Sequence, residues 1–207
     1  MNFLVDPSLF FDPNGNFSLK ESYLPLLDQQ GKLQFITFRC FDSIPAKIRE
    51  EIKDFKEYFI KTYPLPWDIA TMVEFRKTVG KREESLLDNG YGKCLLKSPE
   101  YRKIVDDALE FFNKDLYDLH AYVIMPNHVH ILMAMLGDND ITECLESIKK
   151  FTATKINKIT GEKGKYWDGQ NYCRLIRNQD HYDIVRSYIN KNPRNLRRGE
   201  FSLRNYK

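Results

Sequence analysis

The block running from Leu119 to Leu136, LHAYVIMPNHVHILMAML, is the most apolar stretch of the chain and is interrupted only by Pro-Asn-His-Val-His. Its content of aliphatic and aromatic residues predicts strands. Either there are two, over about 116–125 and 128–135, or one long strand bent at Pro126, because proline has no N–H to give to a central ladder. Residues i and i+2 of a strand project on one face, so His128 and His130 point to the same place while Val129 points to the opposite face. That is the geometry of two metal ligands. Two imidazoles in an aliphatic strand are costly to bury without partners, yet the spacing alone also fits a pair of structural histidines.

Around this block the chain of 207 residues reads as one globular domain with extensions. Hydrophobic residues make up 42% of it, enough for a sizeable core, and with only 10 Gly and 9 Pro a disordered or fibrous chain is excluded. No apolar run reaches the roughly 18–20 residues that cross a bilayer, and the N-terminus lacks the basic and apolar regions of a signal peptide. A cytoplasmic protein with no membrane partner is expected. Cys40, Cys94, Cys144 and Cys173 form no CxxC pair, so they are read as reduced thiols.

Residues 1–32 carry turn signals and predict an arm laid over the domain. LQFITFRC (33–40) alternates as a strand does. A charged helix follows from Pro45, capped by Asp42 or Ser43, to about Tyr63, and residues 67–87 and 98–114 have helical spacing. After the histidine block come a helix over 140–160, a strand pair over 165–178 with a turn near Asp168-Gly169, and a helix over 179–193. The expected boundaries are an arm at 1–32, a domain at 33–196 and a basic tail at 197–207, the tail being disordered by default.

Charge is distributed unevenly. From Lys149 to Lys207 there are 15 Lys/Arg against 5 Asp/Glu, a net of +10, which leaves 17 against 24, or −7, for the rest. A concentrated positive surface suits a polyphosphate partner. Lys149, Lys150 and Lys155 on one predicted helix, Arg174 and Arg177 on the predicted hairpin, and Arg186, Arg194, Arg197 and Arg198 around the last helix are the candidate DNA contacts. Phe151, Tyr166, Trp167 and Tyr172 lie among them and could stack on unpaired bases.

The strings ITFRCFDSIP, LLDNGYGKCLL, YVIMPNHVHILM, SIKKFTATKIN, KYWDGQNYCRLIR and YINKNP occur in an order that resembles the REP-associated tyrosine transposases, relatives of the single-tyrosine HUH transposases. The resemblance covers roughly residues 33–196. It implies an α+β fold, a ferredoxin-like or RRM-like antiparallel sheet with the histidines on a central strand and helices on the other face. It also implies an endonuclease and strand transferase that acts on single-stranded DNA at hairpins of repetitive extragenic palindromes, as a monomer or a homodimer.

Attack on a phosphodiester by a side-chain hydroxyl needs a tyrosine in line with phosphorus and a divalent cation on the phosphate oxygens. Tyr188 is favoured among the tyrosines because Asn192, four residues on, shares its helical face. Tyr172 and Tyr182 remain alternatives. In the resemblance, the Tyr of YIxxNP is the nucleophile and a polar residue one turn on completes the metal site, which carries over to Tyr188 and to Asn192 beside His128 and His130. Such a ligand set suits Mg²⁺ or Mn²⁺. The chain departs from the pattern at Asp168, near Cys173 and in RNLRRG after the NP block. A domesticated hairpin-binding protein that no longer transposes would have nearly the same sequence.

Overall fold

The computed structural model describes residues 4–20, 26–65 and 67–206. The elements are short strands β1 (Ser18–Lys20) and β2 (Leu26–Asp28), then β3 (Leu33–Cys40), α1 (Ala46–Thr62), α2 (Ile69–Leu87), α3 (Pro99–Phe111), β4 (Tyr117–Ile124), β5 (His128–Met135), α4 (Ile141–Thr160), β6 (Trp167–Leu175), α5 (Gln179–Lys191) and β7 (Ser202–Asn205). Five of the strands form one antiparallel sheet in the order β6-β3-β5-β4-β7. The first four give the order of a ferredoxin-like sheet, with β5 in the centre. The expected α+β class is therefore what the chain adopts.

The break at Pro126 is a tight connection: β4 and β5 are separate strands, and Met125 N–H donates to His128 O across the turn at 2.8 Å. Alternation along β5 then divides the protein. Val129, Ile131, Met133 and Met135 pack with Leu109 of α3 and with Cys144, Leu145, Ile148 and Ile156 of α4. Leu132 and Ala134 face the other way, together with Phe35, Tyr182, Val185 and Ile189. Helices thus cover both faces, for α5 lies over the side that carries His128 and His130. The reason is the stripe Tyr182-Val185-Ile189, apolar at three- and four-residue spacing, which needs a surface to bury it.

α1 and α2 form a hairpin with a small aromatic core of its own, in which Phe59, Trp67 and Phe75 meet at centroid distances of 4.8–5.2 Å. Its buried Lys56 donates to Gln170 Oε1 at 3.1 Å, which ties the hairpin to β6. The helix cap expected from Asp42 or Ser43 is not used. Asp42 accepts the Lys93 N–H instead, and Ser43 Oγ donates to Cys40 O.

Two further expectations are corrected, and one holds. Residues 165–178 hold a single strand rather than a hairpin, because Asp168 binds Arg39 at 2.9 Å and accepts the Gln170 N–H, making an irregularity beside β3 instead of a reversal. The chain end is ordered into β7, the sheet's edge, where Arg186 NH2 donates to Tyr206 O. The arm before β3 does lie over the domain: Val5 N–H donates to Gln179 Oε1 and Phe11 N–H to Ile176 O. Residues 1–3 and 21–25 of it are outside the described residues.

Candidate active site

His128 and His130 are both buried, on the face of β5 that looks toward α5. Each ring is held by its Nδ1. Asn127 Nδ2 donates to Tyr91 O at 3.0 Å, so its Oδ1 is the end that meets His128 Nδ1 at 2.7 Å, and His128 Nδ1–H must be the donor. The Nε2 of His128 is then an unprotonated nitrogen, and it is buried without a partner. His130 Nδ1 lies 2.7 Å from Thr37 Oγ1 of β3, and Phe35 stacks on the ring at 5.4 Å. Orientation of a ligating imidazole through its second nitrogen is how proteins fix the tautomer for a metal.

From the other side, α5 brings Tyr188 and Asn192, one helical turn apart. The Tyr188 hydroxyl lies 3.2 Å and Asn192 Nδ2 3.4 Å from His130 Nε2, while Asn192 Oδ1 is buried with no partner. A half-turn of the amide exchanges its two ends, so either can face the histidines. The spacing argument for Tyr188 and Asn192 therefore describes a real juxtaposition, and all four side chains come from one chain. Burial pulls the His128 imidazole down to about 3, and burial together with the nearby His128 takes His130 well below the ordinary range. Both rings are neutral at physiological pH, the form that ligates. Burial also raises the Tyr188 phenol, with Glu84 as the next cause through a hydrogen bond and its charge.

Among the described residues, no group of three or more His, Cys, Asp and Glu side chains is arranged to hold a metal ion. A third protein ligand beside the two histidines would have to be neutral, and Asn192 is placed for it. Two orphaned polar atoms, His128 Nε2 and Asn192 Oδ1, are what a cation would satisfy, since buried polar atoms are otherwise almost always paired. The residues present fit a hard or borderline divalent ion.

The other sequence candidates divide. Tyr172 is on the histidine face, opposite Thr37 across β3, with its ring 6.4 Å from Phe35. Tyr182 is fully buried with its hydroxyl 3.1 Å from His120 Nδ1, so it is a core residue. Trp167, a predicted base-stacking residue, is 5% exposed and donates from Nε1 to Thr152 Oγ1 under α4. Lys149 is 8% exposed and donates to Asn171 Oδ1 at 2.9 Å. Neither presents a surface to DNA, because the inner side of α4 needs them. Arg186 is occupied at β7.

Lys150, Lys155, Arg174, Arg177, Arg194, Arg197 and Arg198 are exposed. They do not form one patch around the histidines: Lys150 and Lys155 ride on α4, on the far face of the sheet, whereas Arg174 and Arg177 stand beside His181 at the start of α5 and Arg194 faces Asp88. Sequence reading missed Thr37 and Asn127. Asn127 was within reach, being inside the Pro-Asn-His-Val-His block; Thr37 reaches the site from β3, far away in the chain.

A tyrosine hydroxyl beside two buried, neutral imidazoles is an arrangement from which nucleophilic, metal-assisted chemistry can be built. Residues 94–192, which hold the histidines, Tyr188 and Asn192, match the family described as "Transposase IS200 like". A solved structure described as the REP-associated tyrosine transposase bound to a REP hairpin aligns with 81% of this chain and 69% of that chain, at 16% identity and a TM-score of 0.43. No curated protein matches significantly. Among the described residues no helix is long and apolar enough to cross a membrane.

Proposed function

We propose that the protein is a single-stranded DNA endonuclease and strand transferase that cuts beside palindromic hairpins through a 5′-phosphotyrosine at Tyr188. The observation that carries this reading is the convergence of the Tyr188 hydroxyl on His130 Nε2 beside two buried atoms, His128 Nε2 and Asn192 Oδ1, that lack partners. His128, His130 and Asn192 would hold Mg²⁺ or Mn²⁺, imidazole favouring Mn²⁺. When bound, the ion would neutralise the non-bridging phosphate oxygens.

The chain's own residues do the rest. Tyr188 Oη attacks phosphorus, the bond from phosphorus to the 3′-oxygen breaks, and the departing strand leaves as a 3′-hydroxyl. The phosphotyrosine keeps the bond energy, and because a phenol of ordinary pKa near 10 leaves more readily than an alkoxide, another 3′-hydroxyl can attack and rejoin without ATP. Thr37 and Asn127 keep both rings turned with Nε2 toward α5. Arg174, Arg177 and Arg194 stand on or beside the same face and are the cations best placed to meet the phosphate backbone, while the hairpin itself would be recognised by shape.

The test is incubation with Mn²⁺ and a labelled single-stranded oligonucleotide carrying a palindromic hairpin and its flanks, resolved on a denaturing gel. A metal-dependent cut with a protein–DNA adduct that disappears in Tyr188→Phe is expected. Cleavage surviving that substitution moves the nucleophile to Tyr172, and tight binding with no cut favours a domesticated hairpin binder.

A further inference from the structure

A further imidazole, at the start of α5, is buried with one nitrogen unused. His181 is 5% exposed, and its Nε2 has no partner among the described residues. Its tautomer follows from its neighbour: the Arg177 backbone N–H donates to His181 Nδ1 at 3.2 Å, so Nδ1 is the acceptor and Nε2 carries the hydrogen. Burial, and after it the charges of Arg174 and Arg177, pull this imidazole down to about 4, so the ring is a neutral donor at physiological pH. A buried donor without an acceptor is a cost to the fold that an incoming acceptor removes.

Two cations stand with it. The bond to Nδ1 pins the ring to the Arg177 backbone, and Arg174, three residues earlier, is paired with Phe35 of β3, so the two share a face of the sheet. The Phe35 ring lies 5.4 Å from that of His130 and 5.8 Å from that of Tyr188, which makes this the face of the candidate active site. Both arginine side chains are exposed. On α5, positions 181, 185, 188 and 192 fall on one stripe, so His181 shares the stripe of Tyr188 and Asn192, about 10 Å along the axis from the tyrosine. The acids Asp180 and Asp183 fall off that stripe, and Asp183 accepts from Gln179 Nε2 at 3.1 Å.

We propose that His181, Arg174 and Arg177 form a phosphate subsite for the DNA backbone, a short step along the strand from the phosphodiester that Tyr188 attacks. This rests on the function proposed above. The three groups offer an anion only donors, because guanidinium has no acceptor and the acceptor nitrogen of His181 is taken by the Arg177 N–H. The bound strand therefore runs along α5, from its first turn toward Asn192, rather than across it.

The test measures binding of a labelled single-stranded hairpin oligonucleotide in chelator, by anisotropy, to the full chain and to His181→Asn, His181→Gln and Arg177→Ala. His181→Asn keeps an acceptor for the Arg177 N–H but withdraws the distal donor, and is expected to weaken binding about 10-fold, the scale of a hydrogen bond to a charged group. The slope of log affinity against log salt should hold in that variant, which loses no charge, and fall by about one in Arg177→Ala. His181→Gln, whose amide nitrogen takes the place of Nε2, should recover most of the affinity. Exchange of single phosphates for neutral methylphosphonates should find one near the cut that weakens the wild type but not His181→Asn. Full affinity in folded His181→Asn, or the same methylphosphonate profile in both proteins, would overturn the inference. Inorganic phosphate alone should shift the His181 nitrogen resonances in the wild type. If the wild type forms no adduct yet shows that shift, the proposed function fails and the subsite stands; if it shows neither, both fail.

Discussion

The two faces of β5 are made by alternate residues of one strand and are built on opposite principles. Toward α3 and α4, Val129, Ile131, Met133 and Met135 are enclosed by apolar side chains, and Trp167 Nε1 and Lys149 Nζ, which approach them, each have a partner. Toward α5, His128 and His130 are just as buried, yet one imidazole nitrogen and one amide oxygen beside them go unpaired. The first face lowers the free energy of the fold. The second gives some of that up, and a cost of about 1–3 kcal/mol for each unpaired buried group is retained where a ligand can relieve it.

That contrast can be broken by substitution, beginning with the largest effect. Tyr188→Phe removes the hydroxyl and keeps the ring against Phe35, so adduct formation should fall by at least about 100-fold, the scale of positioned chemistry, with the melting temperature essentially unmoved. On the other face, Ile131→Ala leaves a cavity and should destabilise by about 2–5 kcal/mol in denaturant unfolding, with chemistry intact in the folded fraction. Trp167→Ala belongs with it, at about 3–5 kcal/mol, and not with DNA binding. Arg174→Ala should weaken DNA binding modestly and reduce the slope of log affinity against log salt by about one, whereas Lys149→Ala should leave that slope unchanged.

The smallest effect is on pH. Burial lowers His128, His120 and, to about 4, His181, below their value in an unfolded chain. Between roughly pH 6.5 and 4 the unfolded chain therefore binds more protons than the native one, and stability must rise with pH in that window. Chemical denaturation at pH 7.5 and 5 should show the midpoint falling at the lower pH. A flat profile would mean the histidines are hydrated.

How far the sequence carried differs by element for physical reasons. Whatever depends on spacing within one element was readable: His128 and His130 share a face because strands repeat every two residues, and Tyr188 meets Asn192 because helices turn in about four. The ferredoxin-like sheet came from resemblance, and its strand order agrees. What failed depends on partners distant in sequence. Asp168-Gly169 looks like a turn until Arg39, across the sheet, claims the carboxylate. Trp167 looks like a stacking platform until Thr152 and Phe38 enclose it. The basic tail looks disordered until β4 offers it an open edge.

The most direct measurement is titration of the metal-free protein with Mn²⁺ by calorimetry, beside His130→Ala and Val129→Ala. One ion per chain, lost in His130→Ala and retained in folded Val129→Ala, is the predicted result. Equal binding by all three proteins, or binding by none, would contradict the claim that the unpaired atoms facing α5 make a cation site.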